Sequence, residues 1–209
     1  MQSYDKPKVV EAFKTKKIIS VACGSRHTVA IIQGGLVSTW GDAENGVSGN
    51  GEVSGMQFLP QILDSMEDKV ITQISTCKCL LSILMIMMIM LLLGGFHTAL
   101  LTDDGTVWTF GEGKFGRLGH DSTSNASRPT QVVSLQKVVS VACGGFHTAA
   151  ITTEGALYTW GGGEHGQLGH GELGNKLVPA KVQAMCENKF VAVTCGWSHT
   201  VGLTGTIRY

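Results

Sequence analysis

The chain has 209 residues, 43% of them hydrophobic and only 15% charged, which is enough apolar material for a buried core and excludes a disordered tail. Its 16 basic and 16 acidic residues cancel, so no overall positive field draws it to nucleic acid, and no specific nucleic-acid binding is indicated. Charged residues interrupt every apolar run near the N-terminus, so no secretory signal is read there, and the six cysteines are expected to stay reduced in a cytoplasmic or nuclear setting.

In chain order, the first feature is a local excess of lysine (Lys6, Lys8, Lys14, Lys16, Lys17), read as a solvated edge. Beyond it the chain repeats itself. Val21-Ala22-Cys23-Gly24-Ser25-Arg26-His27-Thr28 returns as Gly94-Gly95-Phe96-His97-Thr98, as Val141-Ala142-Cys143-Gly144-Gly145-Phe146-His147-Thr148, and as Val193-Thr194-Cys195-Gly196-Trp197-Ser198-His199-Thr200. Thirteen residues after each of the first three histidines stands an aromatic followed by glycine: Trp40-Gly41, Phe110-Gly111 and Trp160-Gly161. Another glycine follows six residues after the aromatic, and a proline (Pro60, Pro129, Pro179) after 19 or 20.

With proline taken as the start, the units are residues 7–59, 60–128, 129–178 and an incomplete 179–209. Within the third unit the spacing predicts strands over Lys137–Cys143, His147–Thr152 and Ala156–Trp160, separated by turn signals. About 50 residues with roughly four short strands is the size of one propeller blade, so the fold class is all-β, a partial β-propeller of about three and a half four-stranded blades. Unit two is longer than the others. Reading Cys77 directly into Gly94 restores the pattern, which marks 78–93 as a hydrophobic insertion. Its 15 residues from Cys79 to Leu93 fall short of the roughly 20 apolar residues a membrane helix needs. A membrane attachment would have to use 78–101. The alternatives are an apolar partner-binding segment or a translated intron.

Gly144-Gly145-Phe146-His147-Thr148, Leu157-Tyr158-Thr159-Trp160-Gly161, Gly166-Gln167-Leu168-Gly169-His170-Gly171 and its second copy from Gly116 to Asp121 resemble the regulator of chromosome condensation repeats. These occur also in the plant ultraviolet-B receptor and in some HECT-type ubiquitin ligases. The resemblance covers nearly the whole chain and implies a ring of seven blades, of which this sequence supplies about half. A half-ring leaves blade edges open and invites self-association. The stop at Tyr209, before a further aromatic-glycine pair, is read as truncation.

Gly111-Glu112-Gly113-Lys114-Phe115-Gly116 and the stretch Gly161 to Gly166 match a dinucleotide fingerprint by letter only, since no helix is predicted after them; no cofactor is expected. His27, His97, His147 and His199 recur once per unit and are read as scaffold residues bonded to neighbouring backbone, as Trp40, Phe110 and Trp160 are read as core. Cys77 and Cys79 make no zinc pair, so no metal site is expected, and no nucleophile stands beside a base, so the chain is read as no enzyme. The candidate partner-contact residues lie in the loops after the aromatic-glycine pairs: Asp42 and Glu44; Glu112, Lys114 and Phe115; Glu164 and His165. A regulatory module binding a protein partner through these loops is the expected function. The resemblance implies, as an alternative, guanine-nucleotide exchange on a Ran-like small GTPase. A membrane-associated truncated variant is a third reading.

Overall fold

The chain builds antiparallel sheets whose strands follow one another in order along the sequence. The computed structural model describes residues 8–76 and 97–205. The first sheet holds β1 (Ile18–Cys23), β2 (His27–Ile32), β3 (Val37–Asp42) and β4 (Met56–Ile62). The second holds β5 (Ile71–Thr76), β6 (His97–Thr102), β7 (Val107–Gly111) and β8 (Ala126–Gln131). The third holds β9 (Val138–Cys143), β10 (His147–Thr152), β11 (Leu157–Gly161) and β12 (Lys176–Lys181), and a fourth has β13 (Phe190–Cys195) and β14 (Thr200–Thr204). This is an all-β partial propeller of about three and a half blades.

The first strands β1, β5, β9 and β13 pack against one another and form the inner wall, while β4, β8 and β12 lie outermost. The core lies between blades. Val29 and Ile31 of β2 meet Ile71 and Ile74 of β5; Ala99 and Leu101 of β6 meet Val138 and Val141 of β9. Ala149 and Ile151 of β10 meet Phe190, with Val193 packed alongside. A central strand is therefore covered on both faces, which is why β6 and β10 carry small and apolar residues without a polar alternation and are buried along their whole length.

Three expectations change in detail. Pro60, Pro129 and Pro179 sit inside β4, β8 and β12 instead of opening a blade. Proline has no N–H for a ladder and is tolerated on an outer strand, so it marks the fourth strand of each sheet. In the paired register Thr76 lies opposite Thr98 as Cys23 lies opposite Thr28 and Cys143 opposite Thr148, so Thr76, and not Cys77, takes the cysteine's place. The third strand set begins at Val138 because Lys137 turns the chain through positive φ.

A membrane run reaching Leu101 is excluded because 97–102 is β6, paired on one side with β5 and on the other with β7. The segment 78–93, Cys77 and Cys79 lie outside the described residues. Among the described residues no helix is long and apolar enough to cross a membrane. The letter match to a dinucleotide fingerprint dissolves into turn geometry: Gly116 has φ +80° and its Cα faces Leu177 of the next blade at a distance no side chain fits. A three-residue 3-10 turn over Lys114–Gly116 stands where a helix would have to start.

Candidate functional site

The first-to-second strand turns and the loops after β3, β7 and β11 all emerge at one end of the sheets, because His27 pairs with Gly41, His97 with Gly111 and His147 with Gly161. Beneath this end the repeated His-Thr pair works as an inter-blade hook. The Nε2 of His27 lies 2.8 Å from Oγ1 of Thr98, that of His97 2.9 Å from Thr148, and that of His147 2.7 Å from Thr200. Thr148 and Thr200 each donate their own hydrogen to a carbonyl, of Arg117 and Gln167 respectively, at 2.8 Å. Each threonine oxygen therefore accepts, which assigns the proton of the ring to Nε2. The expected backbone partner is corrected to a threonine side chain one blade on, beyond the reach of any local reading. The glycine of the Cys-Gly pair lies against the imidazole: a Cβ on Gly144 would collide with Cε1 and Nδ1 of His147, and Gly24 and Gly196 stand likewise under His27 and His199.

Burial keeps the rings of His27, His97 and His147 neutral. It pushes His27 down to about 4 against a weaker upward pull from Asp42, and His147 down to about 4 with a further push from His199. It holds His97 well below the ordinary range, with Arg117 and the neighbouring histidines adding to the effect. In the unfolded chain each ring takes a proton near 6.5. The unfolded state thus binds more protons between 6.5 and 4, and stability, complete above 6.5, falls as pH drops through that window. His27 and His147 are each expected to withdraw up to about 3 kcal/mol by the acid end. Urea midpoints that fail to drop between about pH 7.5 and about pH 5 would contradict this.

The candidate loop residues divide into structural and accessible groups. Asp42 is buried: its carboxylate lies 2.7 Å from the Arg26 guanidinium and its Oδ1 accepts the Glu44 N–H, so it shapes the loop and is not a contact residue. Glu44 is exposed and also meets Arg26, at 2.9 Å. Glu112 pairs at 3.0 Å with Arg117, whose side chain has 0% exposure and donates to the carbonyls of Lys114 and Gly145. Arg117 is stacked between the rings of Phe115 and Phe146, 5.9 and 5.2 Å from their centroids. Lys114 is exposed, with its ammonium 5.0 Å above Phe115. Glu164 and His165 are exposed on the third loop.

Phe115, half-buried and held at φ 65°, stands edge-on to Phe146 at 5.5 Å, and Phe146 stands edge-on to Trp197 at 5.0 Å. A continuous aromatic row thus crosses three blades, with Arg117 beneath it and Lys114 and Glu112 beside it. Phe146, Trp197, Arg117 and Arg26 were not among the candidates. Arg117 could have been found, since Gln167 and Val47 occupy its place in the other loops. Among the described residues no three histidine, cysteine or acidic side chains gather to hold a metal.

A model described as the regulator of chromosome condensation (RCC1) repeat matches residues 1–31, 104–151 and 154–203, more than half of the chain, and a second model of the same repeat matches 18–47 and 138–167. The chain is 33% identical over 203 residues to the human E3 ubiquitin-protein ligase HERC2, covering 95% of this chain and 4% of that protein. It is 33% identical over 200 residues to the ultraviolet-B receptor UVR8 of Arabidopsis thaliana, covering 95% of this chain and 41% of the receptor. The crystal structure of Prp20p from Saccharomyces cerevisiae superposes with a TM-score of 0.75 at 23% identity, over 96% of this chain and 49% of that one. The chain thus spans less than half the length of each of these proteins.

Proposed function

Because the chain belongs to the regulator of chromosome condensation (RCC1) repeat family, we propose that it is a non-catalytic protein-interaction module, acting in the cytoplasm or nucleus, whose partner docks along Phe115, Phe146 and Trp197. The observation that carries this reading is the aromatic row itself. Rings held edge to face, with a buried arginine and a surface lysine beside them, have the composition of interface hot spots. Phe115 at positive φ adds weight, since a bulky residue occupies that region at a cost the surrounding fold must cover. The fold relative Prp20p is described with binding to Gsp1p and histones, and yeast RCC1 (Prp20) with bound Kap60, which supports a protein as the class of partner.

In the double variant Phe115→Ala/Trp197→Ala we expect affinity for the partner to fall by at least about tenfold, while Val133→Ala, exposed at the opposite end of the blades, leaves it unchanged. Co-precipitation with each variant, quantified by mass spectrometry, reads this. If the two variants retain the same proteins, the row is not the contact. Nucleotide exchange on a small GTPase is the second reading, favoured by the family's name and by the Prp20p fold. Accelerated release of labelled nucleotide from a purified GTPase would move the function there, and unaccelerated release leaves plain binding.

A further inference from the structure

Phe115 belongs to the second blade and Phe146 to the third, so their contact is only as fixed as the junction it crosses. No backbone ladder joins the inner strands β5 and β9, which lie in different sheets. Side chains join them instead. Gln73 serves as a detached rung: its Oε1 accepts the Val141 N–H at 3.0 Å and its Nε2 donates to the Val141 carbonyl at 3.2 Å. Ser75 Oγ accepts the Cys143 N–H at 2.8 Å, and the Cys143 thiol donates to the Ser75 carbonyl, with Sγ 3.3 Å from that oxygen.

The turn that follows Cys143 carries Phe146. Ser75 holds that turn at its start, and Arg117 holds it at Gly145, whose carbonyl accepts Nη1 at 3.2 Å. Gln73, Ser75 and Arg117 all come from the blade that also carries Phe115. The first junction is built differently. In the paired register Ser20 and Ala22 stand where Gln73 and Ser75 stand, and Val47 takes the place of Arg117. Among the described residues no side chain of β1 bonds to the N–H of Ile74 or Thr76, the counterparts of Val141 and Cys143. The histidine hook recurs at both junctions, and so does an outer bond, from the Gly51 N–H to the Ser127 carbonyl and from the Asp121 N–H to the Leu177 carbonyl. The inner side-chain rungs and Arg117 are what set the second junction apart.

We propose that Gln73 and Ser75 are positioning residues for the partner site: they lock the third blade to the second at the inner wall and so preset Phe115 and Phe146 before a partner arrives. This rests on the docking row proposed above, of which neither residue is part. Two rings already fixed relative to each other need no ordering on contact, and a partner binds them more tightly than a loose pair.

Amide exchange on the full chain, followed by NMR and corrected for intrinsic rates, tests the lock without a partner. Val141 and Cys143 are expected to exchange at least about tenfold more slowly than Ile74 and Thr76. In Gln73→Ala/Ser75→Ala that gap should close and the cross-peaks between the Phe115 and Phe146 rings should weaken, whereas Ser75→Thr, which keeps the hydroxyl, retains both. The reverse graft, Ser20→Gln/Ala22→Ser, should slow exchange at Ile74 and Thr76. Equal exchange in the two wild-type strands, ring cross-peaks that survive the double alanine variant, or a graft without effect would each overturn the proposal. Circular dichroism of each variant establishes that the changes report a released junction and not a lost fold. Co-precipitation separates the lock from the row. If Phe115→Ala/Trp197→Ala loses its partner while Gln73→Ala/Ser75→Ala keeps it at wild-type strength, the positioning role falls and the row stands. If both variants keep the same proteins as the wild type, the row falls and the positioning role with it.

Discussion

His97→Ala is expected to lower the unfolding free energy by about 3 kcal/mol, visible as a lower urea midpoint with an unchanged slope. His97 has no exposed surface, lies between two blades, and gives its Nε2 proton to Thr148, whose own proton is already engaged by the Arg117 carbonyl. Removing the ring opens a cavity and leaves a buried hydroxyl without its donor. A double-mutant cycle with Thr148→Val isolates the hook. The two changes should be non-additive by about 1–2 kcal/mol, and strict additivity would mean that the hydrogen bond contributes nothing to holding the blades together.

The second large effect concerns the aromatic that closes each third strand. Trp160→Ala is expected to cost about 4 kcal/mol, because the indole is wholly buried and packs on Gly119 of the preceding blade. Trp40 occupies the same place in the first blade but is only half-buried, with Phe13 edge-on to it at 5.6 Å in place of a blade. Trp40→Ala should therefore cost about 1–2 kcal/mol, at most half as much. Trp160→Phe tests the packing from the other side. Phe110 already fills this position in blade two, against Gly49, and the indole N–H of Trp160 finds no acceptor among the described residues. The swap should cost under about 1.5 kcal/mol. Thermal unfolding of the three variants ranks them. Equal losses at Trp40 and Trp160 would show that the neighbouring blade adds nothing to the packing of this position.

The contrast between Trp160 and Pro179 shows how far the sequence carries. Spacing alone placed the strand His147–Thr152 at its observed bounds and the next strand, expected over Ala156–Trp160, one residue before its observed span Leu157–Gly161, because turns, glycines and aromatic positions are local and recur. Pro179 recurs just as faithfully, but its meaning depends on which strand lies outermost, a property of the sheet and not of the segment. The cysteine register of blade two failed for a similar reason: buried Ile71 and Ile74 fix β5, and only pairing with β6 shows that Thr76 falls opposite Thr98. At the candidate site the loops were legible as variable regions between fixed glycines. Asp42 turning inward to Arg26, and Arg117 buried between Phe115 and Phe146, required partners from other turns and other blades.

The hooks also set an order of events during synthesis. His27 and Thr98 are 71 residues apart, whereas His97 and Thr148 are 51 apart and His147 and Thr200 are 53 apart. At translation rates of roughly 5–20 residues per second, the first blade waits roughly 4–14 seconds for its threonine to be made, longer than either later blade waits for its own. Val29 and Ile31 face water until Ile71 and Ile74 are made, and the His27 hook stays open for the rest of the interval. The first junction, and not the last, is the step at which a nascent chain is most open to chaperone capture.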